Sequence, residues 1–228
     1  MIDFSSYQFR PSQVGLIMTK SKSKGELSQT AKTFLEDLFY DSIYGQQPYP
    51  HNVQMAKGNY CEDEAIAIYR KEKQIFCTKN QQKFSNEFIT GTPDLILSTK
   101  IVDIKCPFTN RTWAKYDHKQ ALDTYYWQLV SYCWLCNKRL AEIAVVGVDT
   151  PAHLLAEEVR SFAYKTRTDF NNESELANLE LQVEKSLHTF GDSKRVKSFE
   201  FKVSDNDILK LQDQIVESRK YLNHLQLQ

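Results

Sequence analysis

Asp94, Asp103 and Lys105 stand within GTPDLILSTKIVDIKCPF, residues 91–108, among Ile, Leu and Val that read as sheet core. Ionised side chains in such company need a partner, because stripping a charge of its water costs several kcal/mol. Strand residues alternate faces, so Asp103 and Lys105 point one way and Ile104 the other. A turn at Ser98-Thr99 would pair the runs 94–98 and 100–105 as a hairpin and bring Asp94 to the level of Asp103. Two carboxylates and an ammonium then converge, with the backbone carbonyl of Ile104 as a further oxygen. Hard oxygen donors of this kind suit Mg²⁺, with Mn²⁺ as a substitute. Such an ion activates water for phosphodiester hydrolysis and offsets charge on phosphate oxygens, with Lys105 beside it to orient or help deprotonate that water. The competing reading is an ion pair at a sheet edge, the ordinary meaning of an isolated Asp-x-Lys. Pro93-Asp94 at hairpin distance favours the metal site.

Other side chains extend this chemistry. Gln128 is a polar residue inside an apolar helical run and needs a partner, which makes it a candidate to position water or substrate backbone. Tyr132 lies four residues on. The hydroxyl of Thr92, two residues before Asp94, suits either a phosphate oxygen or a turn. His51, His118, His153, His188 and His224 have no metal-ligand spacing. Cys133-x-x-Cys136 has no second pair and sits in the apolar run YYWQLVSYCWLC, so its thiols read as buried small hydrophobes. The aromatic set at 125–134 likewise reads as core rather than as a base-stacking platform.

These residues require elements to hold them. Ser12 reads as the N-cap of a short helix, and residues 28–40 show helical spacing through Ala31, Phe34, Leu35 and Leu38. Residues 41–57 read as a loop, and Gly58 as the lead into a second helix with Ala65, Ile68 and Tyr69 buried. Strands are expected at 74–78, around 87–93, at 94–98, 100–105, 142–149 and 199–204. One long helix is expected over 112–137, and a last one capped by Asp205 with Ile208, Leu211, Ile215 and Leu222 inward. The pattern after Pro151 is weak. Helices that precede, interrupt and follow a mixed sheet imply an α/β (α+β) fold, a central mixed sheet flanked by helices, in one domain over 1–228.

Composition bounds the reading without deciding it. The 228 residues are 41% hydrophobic and 25% charged, a globular balance. No apolar run approaches a membrane span, and MIDFSSYQFRPSQ lacks the plan of a secretory leader, so a cytoplasmic protein is expected. Five cysteines at irregular spacing do not form a disulfide framework. Zero net charge argues against a general nucleic-acid coat. Yet Lys20, Lys22 and Lys24 cluster, and Lys100, Lys105, Arg111, Lys115 and Lys119 surround the Asp-Ile-Lys motif, a local field able to steer phosphate. Glu157, Glu158, Glu173, Glu175, Glu180 and Glu184 gather later.

Asp94, Asp103 and Lys105 resemble the PD-(D/E)xK nuclease motif, and IKCPFTNRTWAKY after Asp103 resembles the phage lambda exonuclease branch, the YqaJ-like viral recombinases. Gly58-Asn-Tyr-Cys-Glu62-Asp-Glu-Ala65 is similar to that branch's Gly-x-x-x-Glu-x-x-Ala helix. Gln128 with Tyr132 is similar to its Gln-x-x-x-Tyr helix. Pro11-Ser12-Gln13-Val14 resembles the segment it uses at a substrate 5′-phosphate. The resemblance spans about residues 10–150. It departs at Asp103, where Glu is commoner, at Leu95, where Gly often stands, and at Arg10, only two residues before Ser12.

The resemblance implies a PD-(D/E)xK restriction-endonuclease-like core and a Mg²⁺-dependent deoxyribonuclease, a 5′→3′ double-strand exonuclease of phage recombination leaving 3′ single-stranded tails. It implies Glu62 as metal ligand or holder of its waters, with Asp63 and Glu64 as neighbouring registers. It implies Ser12, Thr92, Arg10 and Tyr132 on substrate phosphates. Double-stranded DNA ends, a single-strand annealing protein and a homo-oligomeric ring, commonly a trimer, are the implied partners. The alternatives are an endonuclease or Cas4-like nuclease of the same superfamily, or a catalytically silent DNA-binding protein.

Overall fold

Ile101, Asp103 and Lys105 face one side of a strand and Val102 and Ile104 the other, and two sets of helices cover these two faces. The computed structural model describes residues 3–23, 25–45, 52–169, 171–187 and 194–227. Four strands form the central sheet in the order β3 (Leu95–Ile96), β4 (Ile101–Lys105), β5 (Leu140–Val146) and β6 (Val196–Lys202). β3 and β4 are an antiparallel hairpin, β4 and β5 run parallel, and β6 returns antiparallel, so the sheet is mixed. A two-stranded hairpin, β1 (Phe84–Ser85) with β2 (Thr90–Gly91), stands apart.

On the first face lie α6 (His118–Leu135), α9 (Asp205–Leu225), α1 (Pro11–Ile17) and α2 (Gln29–Tyr44), burying Val14, Leu35, Leu129, Ile143 and Ile215 together. On the second lies α4 (Glu62–Lys73), whose Ala65, Ile66 and Tyr69 meet Leu95, Val102, Ala144 and Val146. α3 (Val53–Tyr60) precedes it. α7 (Ala152–Thr166) and α8 (Glu173–Leu187) pack on each other through Val159, Ala163, Leu179 and Val183, with Phe108 against them. The fold is thus mixed α/β with a mixed central sheet between helices, as expected.

Several elements differ from the sequence expectation. Ser12 is the second residue of α1, not its cap. Arg10 precedes the helix, and its N–H donates to Gln13 Oε1 at 3.1 Å. The 41–57 stretch is not a loop throughout: α2 runs to Tyr44, Ser28 Oγ capping its start, and α3 begins at Val53 with Gly58 inside it. Residues 74–78 form no strand: Gln74 is left-handed at φ 53° and 75–78 pair with no strand among the described residues, and around 87–93 only Thr90–Gly91 is strand. The helix expected over 112–137 is two, α5 (Asn110–Lys115) and α6, because Asp117 accepts the Gln120 N–H at 2.8 Å and starts a new helix. Ser204, not Asp205, caps α9. The weak pattern after Pro151 is the α7–α8 pair. His51, His188 and Lys24 lie outside the described residues.

Candidate active site

The hairpin register, Leu95 opposite Val102, carries Asp94 to the level of Asp103, and Asp94 Oδ2 accepts the Ile104 N–H at 2.7 Å. Asp103 is buried to 1% exposure, facing α6, where Gln128 Nε2 donates to its Oδ1 at 3.0 Å. Lys105 Nζ stands 2.7 Å from Asp103 Oδ2, close enough for an ion pair though not directed as a hydrogen bond. A buried carboxylate oxygen therefore retains accepting capacity. The same ammonium lies 4.8 Å from the ring centre of Tyr125, whose hydroxyl meets that of Tyr116 at 3.1 Å. Tyr125, Gln128 and Tyr132 share a face of α6, three and four residues apart. All of these side chains, with Glu62, Gly58 and Phe108, line a cleft of about 550 Å³.

The electrostatics call for a cation. Burial pushes the Asp94 carboxyl up to about 8, the Asp103 charge adds to the rise, and the Ile104 amide and Lys105 oppose it. Burial also works against the Lys105 charge, but Asp103 more than compensates and holds that ammonium protonated above its ordinary range. Tyr132 is pushed upward by burial and by both carboxylates. Two carboxylates side by side, one buried and one partly so, with a single lysine paired to Asp103 are short of positive charge when both ionise. Mg²⁺ needs only one or two carboxylates and keeps several waters, so Asp94, Asp103 and the Ile104 carbonyl fit it.

Glu62 lines the cleft at the start of α4, but it pairs with Lys79 Nζ at 3.2 Å, and Lys79 also holds Asp63 at 2.9 Å. Among the described residues no three His, Cys, Asp or Glu side chains converge as a complete cage. Glu62 therefore borders the two-carboxylate set rather than closing it.

A second, smaller cavity of about 220 Å³ is lined by Arg10, Ser12, Lys83, Thr90, Thr92 and Tyr132. Tyr132 thus belongs to both. The segment carrying Arg10 and Ser12 is joined to the β1–β2 hairpin by Phe9, whose N–H donates to Phe88 O and whose carbonyl accepts the Thr90 N–H, each at 3.0 Å. Gly91 makes the approach sterically feasible: a Cβ there would lie 2.7 Å from the Pro11 ring and 3.2 Å from Tyr132 Cε1.

Sequence reading did not single out Lys83, Lys79, Tyr125 or Lys57. Lys57 is wholly buried, donates from Nζ to Phe108 O at 3.1 Å, and so ties α3 to the loop after β4, two walls of the cleft. Burial lowers its pKa. Lys100, grouped above with a steering field, is instead spent on Glu142 and Glu200 at the sheet. Of the aromatic set on α6, Tyr126, Trp127 and Trp134 are partly buried against the core, while Tyr125 and Tyr132 also line the cleft. All five cysteines are free thiols.

No protein-family model and no curated protein matches the chain. Solved structures do match its fold. A phage-related exonuclease from Haemophilus somnus 129PT superposes with a TM-score of 0.77 at 22% identity, covering 96% of this chain and 95% of that one. An alkaline exonuclease from Laribacter hongkongensis gives 0.58 at 15% identity, covering 96% and 91%. The same Laribacter enzyme in complex with dAMP gives 0.56 at 15% identity, covering 95% and 88%. At these identities the likeness shows a common fold.

Proposed function

We propose that this chain is a divalent-metal-dependent deoxyribonuclease of the lambda exonuclease type, degrading linear duplex DNA from its 5′ ends and leaving 3′ single-stranded tails. The observation that carries the reading is the Asp94–Asp103 pair, Asp103 buried and Asp94 partly so, with Lys105 and Gln128 in a polar cleft, next to a second polar cavity that shares Tyr132. The motif resemblance and a fold shared with two exonucleases support it.

Asp94, Asp103 and the Ile104 carbonyl would hold Mg²⁺ or Mn²⁺, with Glu62 reaching it through water. Bound there, the ion would supply an activated water and neutralise charge on the scissile phosphate. The protein's own groups do the rest. The Ile104 amide fixes Asp94, and Gln128 fixes Asp103. Lys105, steadied by Asp103 and the Tyr125 face, presents a cation to the phosphate in the cleft. In the smaller cavity Ser12 and Thr92 offer hydroxyl donors and Arg10 and Lys83 offer charge, the combination a terminal phosphate needs because it has only acceptors. A homo-oligomeric ring, commonly a trimer, around the duplex and hand-over of the tails to a single-strand annealing protein complete the proposal.

The test uses linear duplex with 5′-phosphate or 5′-hydroxyl ends and closed circles, at one fixed salt concentration because phosphate contacts are salt-dependent. The expected order is phosphate faster than hydroxyl by about tenfold, from charge-assisted hydrogen bonds of about 1.5–3 kcal/mol each, with circles intact. Ser12→Ala should narrow the gap. Cleavage of circles at the linear rate would instead favour the endonuclease alternative.

A further inference from the structure

Phe76 is exposed to 103%, a large ring with no packing, on the segment that follows α4. It belongs to a surface groove of about 440 Å³ with Ala67, Arg70, Lys71, Gln74 and Ile75. Gln74, in the left-handed conformation at φ 53°, turns the chain out of the helix and presents Ile75 and Phe76 beside the last helical turn. The charges of that turn divide. Glu72 accepts from the backbone amides of Arg195 and Val196, and Lys73 reaches towards Glu142. Arg70 and Lys71 make no ion pair among the described residues and remain on the groove, which has no carboxylate in its lining.

We infer that this groove is a platform for single-stranded DNA, with a base stacked on Phe76 and phosphates on Arg70 and Lys71. A polyanion bearing flat rings satisfies both halves of the surface, and an exposed aromatic flanked by free cations is the chemistry of sequence-tolerant strand binding. Its position ties it to the cleft. From Phe76 the chain runs through Lys79, paired with Glu62, to Asn80, whose N–H donates to Asp94 O at 2.8 Å. That stretch links the groove along the chain to the Glu62 edge of the cleft, the route the inference assigns to an emerging strand. The inference rests on the nuclease reading above and assigns a surface to one of its product strands.

The experiment measures anisotropy of a fluorescein-labelled oligothymidylate with full-length protein in EDTA, and of an abasic oligonucleotide of equal length. Phe76→Ala should weaken oligothymidylate binding at least about fivefold. Phe76→Trp should restore it, and abasic binding should not change. Arg70→Ala with Lys71→Ala should weaken both and flatten the salt dependence. Unchanged oligothymidylate binding by Phe76→Ala, or equal loss on the abasic strand, overturns the platform. Duplex cleavage in Mg²⁺ by the same preparations separates the two failures. An active wild type with an indifferent Phe76→Ala sinks only the platform, whereas an inert wild type sinks the nuclease reading and the platform with it.

Discussion

Asp94 binds its proton more tightly in the folded chain than an ordinary carboxyl does, because it is buried and stands beside Asp103. With a folded pKa of about 8, its contribution to stability is fully present below the unfolded carboxyl value of about 3.9 and is lost as pH rises through the folded one. Asn at position 94 keeps an acceptor for the Ile104 amide and has no charge to bury. In chelator, the wild type should therefore lose stability relative to Asp94→Asn as pH rises from about 5 to about 8, and then run parallel to it. Thermal melts across that range check this, and parallel curves throughout would mean that Asp94 ionises freely. The convergence of Asp94 and Asp103 was legible because a two-residue turn at Ser98-Thr99 leaves the hairpin little choice of register. Gln128 was legible as a polar side chain in an apolar helix. Lys83 and Lys57 were not, since a lysine in a polar stretch carries no sign that tertiary packing will bring it to a cavity or bury it.

At the scale of elements, the smaller cavity depends on how closely α1 approaches β2. Gly91→Ala places a methyl 2.7 Å from the rigid Pro11 ring, so the α1 segment must give way. Overpacking of this kind costs about 1–3 kcal/mol. Urea denaturation should show that loss, and the preference for a 5′-phosphate should shrink as Ser12 is displaced from Thr92. Full stability with full end preference would show that the two segments need not touch. The same scale explains the misread elements. Residues 74–78 have strand-like composition but no neighbour to pair with among the described residues, and composition cannot report a missing partner. The break before α6 is marked by one side-chain hydrogen bond, from the Gln120 N–H to Asp117, a local choice that an apolar run of this length conceals. α7 and α8 bury narrow stripes mainly against each other, so neither shows the broad apolar face of a helix laid on a sheet.

For the whole molecule, zero net charge hides an uneven distribution, and the structure sorts it. Lys100 belongs to a network with Glu142 and Glu200 on the sheet, while Arg10 and Lys83 border the smaller cavity and Lys105 the cleft. Among the described residues no helix is long and apolar enough to cross a membrane. Oligomeric state lies beyond what one chain's sequence specifies, because a head-to-tail interface has no local signature. Light scattering at micromolar concentration should find a closed oligomer, with a trimer as the expected mass. A monomer would remove the ring while leaving the chemistry of one subunit intact.

The most direct test of the account is cleavage of 5′-phosphorylated linear duplex by wild type and Asp103→Asn, each with Mg²⁺ and with EDTA. The account predicts degradation by the wild type in Mg²⁺ alone and a loss of about a thousandfold or more in Asp103→Asn, with the fold retained by circular dichroism, because metal-holding groups act as a unit. Asp103→Asn that digests the duplex at the wild-type rate in Mg²⁺ would contradict it.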